Sequence, residues 1–92
     1  VKSIQWLPIP RFPGYEVSDA GEIRNKRGRI LKQRLNNGCM KADIGRATVL
    51  VHGLVLRTFT GQPTHYDKDH YMPKHIGDRL DNRLENLAWA MK

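Results

Sequence analysis

Val51, Leu54, Val55 and Phe59 recur at intervals of three and four, the spacing that lines one face of a helix, so "VHGLVLRTF" predicts a short helix with one buried side. Gly53 within it costs about 1 kcal/mol relative to alanine. Upstream the pattern is shorter. Tyr15–Val17, Glu22–Arg24 and Arg29–Leu31 are brief segments bounded by "SDAG" and "NKRG", which predicts a small antiparallel meander. "CMKADI" and "ATVLV" flank Gly45-Arg46 and predict a hairpin with Arg46 at its tip. Pro8, Pro10 and Pro13 exclude a helix from the opening and leave it extended and rich in turns.

Beyond the helix the periodicity stops. Thr60 to Pro73, rich in His, Asp, Gly and Pro, reads as a loop, and Leu80, Leu84 and Leu87 then suggest a compact turn and the start of a terminal helix. No repeat or linker divides the chain. The expectation is an α+β fold in one compact unit, 1–92, with a basic β module over 1–48 and a second module over 49–92.

Ninety-two residues can bury only a modest core. No apolar run approaches the roughly 20 residues that cross a bilayer, and no signal segment opens the chain, so it reads as soluble, intracellular and cytoplasmic. Cys39 is alone, which excludes an internal disulfide and leaves a buried thiol as the simplest reading. The net charge of +7 is unevenly placed. Arg24, Lys26, Arg27, Arg29, Lys32, Arg34, Lys41 and Arg46 face a single acid, Asp43, whereas eight basic and eight acidic residues balance elsewhere. A solvated surface loop would tolerate such a cluster. Double-stranded DNA is the preferred partner, because phosphates reward clustered cations by counterion release; an acidic surface on a host protein would be attracted by the same patch.

Two stretches together resemble a known pairing. "WLPIPRFPGYEVSDAGEIRN" with "GRILK" resembles the nuclease-associated, NUMOD-type module at the front of phage and intron homing endonucleases. "VHGLVLRTFTG" with "HIGDRLDNRLENLAWA" resembles the histidine-asparagine-histidine (HNH) domain that follows it. The resemblance implies a ββα-metal motif over 49–92 with a truncated final helix. It also implies a histidine that takes a proton from water, an asparagine that orients it, and a divalent cation, Mg²⁺ if the site is active, on the phosphate. On this chain His75 would be the base and Asn86 the orienting amide, with Asn82 a structural turn residue. A phage-encoded protein in a bacterial host is the setting the resemblance suggests.

The chain departs from the family pattern in three places. Lys74 stands where an acidic metal ligand usually precedes the histidine; at about 4 Å two unit charges are worth roughly 4 kcal/mol at an effective dielectric of 20, so the exchange weakens metal binding strongly. The family's second ligand lies on the closing helix, beyond Lys92. The loop after His75 is one residue shorter than usual. Asp69, beside His70, and Asp67 or Asp78 are the acids nearest to hand. His65, His70 and His75 with Cys39 at a spacing of five match no common zinc pattern. His52 reads as a packing or helix-end histidine, Trp6 and Trp89 as core anchors, and Tyr15 as a packing residue of the meander.

Three functions follow: a DNA-binding protein of endonuclease descent with weakened or lost hydrolysis, in which Lys74 joins the phosphate contacts; a working Mg²⁺-dependent nicking endonuclease with His75 as base; or a small effector that binds a host protein through its basic face.

Overall fold

The structure, a computed structural model, describes residues 3–61 and 71–91. It contains eight short strands and, among the described residues, one α-helix. Strands β1 (Trp6–Pro8), β2 (Glu16–Ser18) and β3 (Ile23–Arg24) form an antiparallel sheet in that order. β4 (Arg34–Asn36), β5 (Cys39–Ile44) and β6 (Ala47–Leu50) form a second, and β7 (Tyr71–His75) pairs with β8 (Leu87–Met91) in a third. Helix α1 (Val51–Thr60) follows β6 without an intervening residue, Leu50 serving as its extended N-cap.

The helix and the hairpin across Gly45-Arg46 lie where the sequence patterns place them, the latter with Ile44 opposite Ala47. The meander is shorter than expected. Pro8 ends the edge strand β1, where a missing N–H costs no ladder bond, so the proline-rich opening still contributes a strand. Arg29–Leu31 is reduced to a single bridge between Ile30 and Arg24, because Asn25 Oδ1 accepts the Arg27 and Arg29 N–H groups and curls the chain into a turn. Asn37 and Gly38 both adopt positive φ, 53° and 79°, the geometry of a tight hairpin turn, and so create β4.

Two expectations of the second half are corrected. Part of the Thr60–Pro73 stretch, Tyr71 onward, is strand; Pro73 is accommodated because each strand of a two-stranded ribbon has an open edge. Residues 62–70, which include His65, Asp67, Asp69 and His70, lie outside the described residues. The expected terminal helix is instead a 3-10 turn at Leu84–Asn86 followed by β8. Leu87, assigned to that helix by its spacing from Leu84, pairs with His75, and Trp89 pairs with Pro73. Pairing with β7 overrides the local leucine spacing.

Ile9, Val17, Ile23, Ala42, Ile44, Val51, Val55, Leu56 and Leu87 form the core. Helix α1 lies at its centre and packs against strands of all three sheets. Its end is closed by Gly61, whose N–H donates to the Arg57 carbonyl (2.9 Å), and by Trp89, whose indole N–H lies 3.2 Å from both Thr60 Oγ1 and the Gly61 carbonyl. No helix of the described residues is long and apolar enough to cross a membrane.

Candidate active site around His75

Alternation along β7 decides what faces the helix. Pro73 and His75 share the half-buried side with Leu87 and Trp89, whereas Met72 and Lys74 are exposed on the opposite side with Ala88 and Ala90. Adjacent positions 74 and 75 therefore present their side chains to different faces of the ribbon. The first turn of α1 brings His52 against His75, with ring centroids 4.6 Å apart and planes tilted by 40°. Burial, with smaller contributions from His75 and the guanidinium groups of Arg57 and Arg79, pushes His52 down to about 4 from an ordinary 6.5. His52 is thus a neutral packing surface for His75 at neutral pH. Its packing role was legible in the sequence, but its partner lies 23 positions away and no local pattern names it.

His75 Nε2 lies 2.6 Å from Asn82 Oδ1. An amide oxygen only accepts, so this contact calls for a proton on Nε2; in the neutral ring the lone pair then lies on Nδ1, the atom left to take a proton. Asn82 is buried, 7 % exposed. Asn86 is engaged elsewhere. Its Oδ1 accepts the Gly77 N–H (2.9 Å), and its Nδ2 donates to the carbonyls of Asp78 (2.9 Å) and Asp81 (2.8 Å), while its own carbonyl accepts the Ile76 N–H (2.8 Å). The two asparagines therefore occupy the reverse of their expected positions, Asn82 at the ring and Asn86 pinning the loop.

The acids of this loop are committed. Asp78 Oδ1 accepts the Leu80 N–H (2.9 Å). Asp81 is clamped by Arg83 through its side chain (2.6 and 2.9 Å) and backbone N–H (3.1 Å), which hold its carboxyl at about 2. Arg83 also pairs with Glu85 (2.9 Å). No three His, Cys, Asp or Glu side chains converge among the described residues. Among the described residues of this loop, the Asp78 carboxylate caps a turn and that of Asp81 is neutralised by a guanidinium, while Lys74 faces away from the ring. Of the acids expected nearest to hand, Asp69 lies outside the described residues.

The expected basic residues divide into two groups. Arg24 is paired with Glu16 (2.7 Å) and lies over the Trp6 ring at 4.1 Å. Arg34 is paired with Asp43 (2.6 Å), which also accepts from Thr48; Arg34 and then Thr48 hold that carboxyl below its ordinary value, and Asp43 raises Arg34. Lys26, Arg27, Arg29, Lys32, Lys41, Arg46 and Lys74 have no ion pair with a described residue. Except for the half-buried Lys41 they are exposed. Arg79, outside the expected set, lies against the β4–β5 turn, 3.4 Å from an ideal Cβ position on Gly38 and 3.5 Å from Cys39 Sγ. The loop after His75 thus touches the tip of the basic hairpin.

Residues 5–45 match the NUMOD4 motif. The chain is 32 % identical over 91 residues to an uncharacterized HNH endonuclease of Acanthamoeba polyphaga mimivirus, covering 94 % of this chain and 27 % of that protein. A second uncharacterized HNH endonuclease of the same virus is 36 % identical over 98 residues, covering 97 % and 24 %. The fold is similar to a solved structure described as DNA binding and cleavage by the HNH homing endonuclease I-HmuI, with a TM-score of 0.74 and 26 % identity over 94 % of this chain and 52 % of that one. The chain belongs to the HNH endonuclease family and carries a NUMOD4 motif in its first half. It spans about a quarter of the length of the curated relatives it matches.

Proposed function

We propose that this chain is a DNA-binding unit of the HNH endonuclease family in which phosphodiester hydrolysis is weakened. One observation carries the proposal: the imidazole of His75 is held ready as a base by Asn82, while the described carboxylates near it are committed to turns and guanidinium groups. The proton acceptor is kept and the seat for a hard cation is depleted. β7 and β8 would supply the two strands of a ββα-metal motif, with Lys74 on the face of that ribbon opposite His75. The modules 1–48 and 49–92 act as one unit, a reading supported by the packing of α1 on all three sheets.

Double-stranded DNA is the partner, engaged by Lys26, Arg27, Arg29, Lys32, Lys41 and Arg46, with Lys74 adding a cation on the outer face of the β7–β8 ribbon. Arg24 and Arg34 hold the β framework through their ion pairs. His75 would accept the proton of an attacking water at Nδ1, and Asn82, rather than Asn86, sets its tautomer.

Plasmid nicking in Mg²⁺ and Mn²⁺, beside salt-dependent binding to duplex DNA, tests the proposal. The expected result is binding that falls steeply with salt, little nicking by the native chain, and a gain of nicking in Lys74→Asp that vanishes in Lys74→Asp/His75→Ala. Strong Mg²⁺-dependent nicking by the native chain would establish a working endonuclease instead. Loss of DNA binding with capture of a single host protein would favour the effector reading.

A further inference from the structure

We infer that the Ser18–Gly21 turn of the front module is a positioning element for His75, acting through Asn82. The side chain that orients the imidazole is itself held by backbone from the other half of the chain. A Cβ placed on Gly21 would lie 2.9 Å from both the Cβ and the carbonyl oxygen of Asn82, a separation that real Cβ atoms do not tolerate. Gly21 is buried and has φ +87°, so two independent constraints demand glycine.

The turn that presents Gly21 is fixed on both sides. Ser18, 0 % exposed, accepts the Ala20 N–H (3.2 Å) and the Glu22 N–H (3.0 Å) on its hydroxyl oxygen, and its carbonyl accepts the Gly21 N–H (3.2 Å). Gln33 Nε2 donates to the Gly21 carbonyl (2.8 Å). Next to it, the Asp19 carbonyl accepts the N–H of Leu84, two residues past Asn82 (2.8 Å). Asn82 is therefore seated against Gly21 and tied down just beyond by Leu84. Its Oδ1 has little freedom but to face His75 Nε2. None of Ser18, Gly21 or Asp19 touches the imidazole; their effect passes through Asn82.

For its bearing on catalysis this inference rests on the role proposed for His75, but its own readout is the ring. Long-range ¹H–¹⁵N spectra of the intact chain report which imidazole nitrogen carries the proton. The native chain is expected to show His75 as the Nε2–H tautomer, and Gly21→Ala a mixture of both tautomers. Gly28→Ala is the control, since Gly28 has a similar φ of +82° but open space at its Cβ, so it imposes the backbone strain without the contact.

Asn82→Ala should reproduce the change, and Gly21→Ala/Asn82→Ala should add nothing to it. Where the Gly21 variant does not fold, Ser18→Ala, which loosens the same turn, takes its place. A His75 spectrum unmoved by Gly21→Ala and Ser18→Ala, or moved equally by Gly28→Ala, overturns the inference whether or not the chain cuts DNA. If Lys74→Asp gains nicking, adding Gly21→Ala should lower kcat about ten- to a hundredfold with KM within about twofold. No nicking in any variant would count against the proposed function alone.

Discussion

The loop from Ile76 to Asn86 and the turn from Arg24 to Arg29 are both short and polar, yet they are held in opposite ways. In the first, side chains are spent on structure: Asn86 makes three hydrogen bonds, Asp78 caps a turn and Asp81 is clamped by Arg83. In the second, one side chain, Asn25, shapes the backbone, and Lys26, Arg27 and Arg29 project into solvent. Proton transfer needs a ring placed to within a fraction of an ångström, whereas attraction to phosphate acts over a Debye length and tolerates loose cations. Fixed charge and solvent-exposed charge thus divide between the two segments.

The sharpest way to break this contrast is to unpin the loop. Asn86→Ala removes three hydrogen bonds and should lower stability by about 3 kcal/mol, read from chemical denaturation; a loss below about 1 kcal/mol would mean that the loop holds itself without that side chain. His52 gives a somewhat smaller effect through pH. Its protonation is suppressed to about 4 in the folded chain against an ordinary 6.5. Between those values the unfolded chain takes up a proton that the folded chain refuses, so stability falls as pH is lowered through that window and levels off below it. The expected loss is about 2–3 kcal/mol, and His52→Phe should remove this share of the pH dependence.

On the solvent-exposed side, the salt slope of DNA binding should flatten by about 0.9 for each phosphate-contacting cation removed, among Lys26, Arg27, Arg29 and Lys32. Arg34→Ala should change it less, because that guanidinium is already neutralised by Asp43. Equal slopes for Arg34→Ala and Lys32→Ala would erase the distinction between framework and contact residues. The smallest effect is at the β4–β5 turn: Asn37→Gly, at φ 53°, should shift the denaturation midpoint only slightly, and Asn37→Val should lower it more.

What could be read from the chain beforehand follows the range of the forces involved. Helix α1 and the Gly45-Arg46 hairpin were legible because their signals are local: one apolar stripe, and two strands around a tight turn. The Asn37-Gly38 turn carries an equally local signal, but the strand before it, Arg34–Asn36, has one apolar residue, too few to show an alternation. β8 was hidden, because Leu80, Leu84 and Leu87 mimic a helical stripe while its real partner, β7, lies across the loop. His75 stood out within its motif, yet the roles of Asn82 and Asn86 could not be told apart. Both lie in one loop after the histidine, and only the backbone path, set partly by Gly21 from the other module, decides which amide meets the ring. Lys74 illustrates the same point: adjacent to His75 in sequence, it lies across the ribbon from it.

The direct passage from β6 into α1 has a mechanical consequence. With no residue between them, Leu50 both ends the strand and caps the helix, so the Arg46 tip and the first helical turn are joined without a linker. A pull on that tip would reach His52, whose ring lies 4.6 Å from that of His75, through continuous backbone.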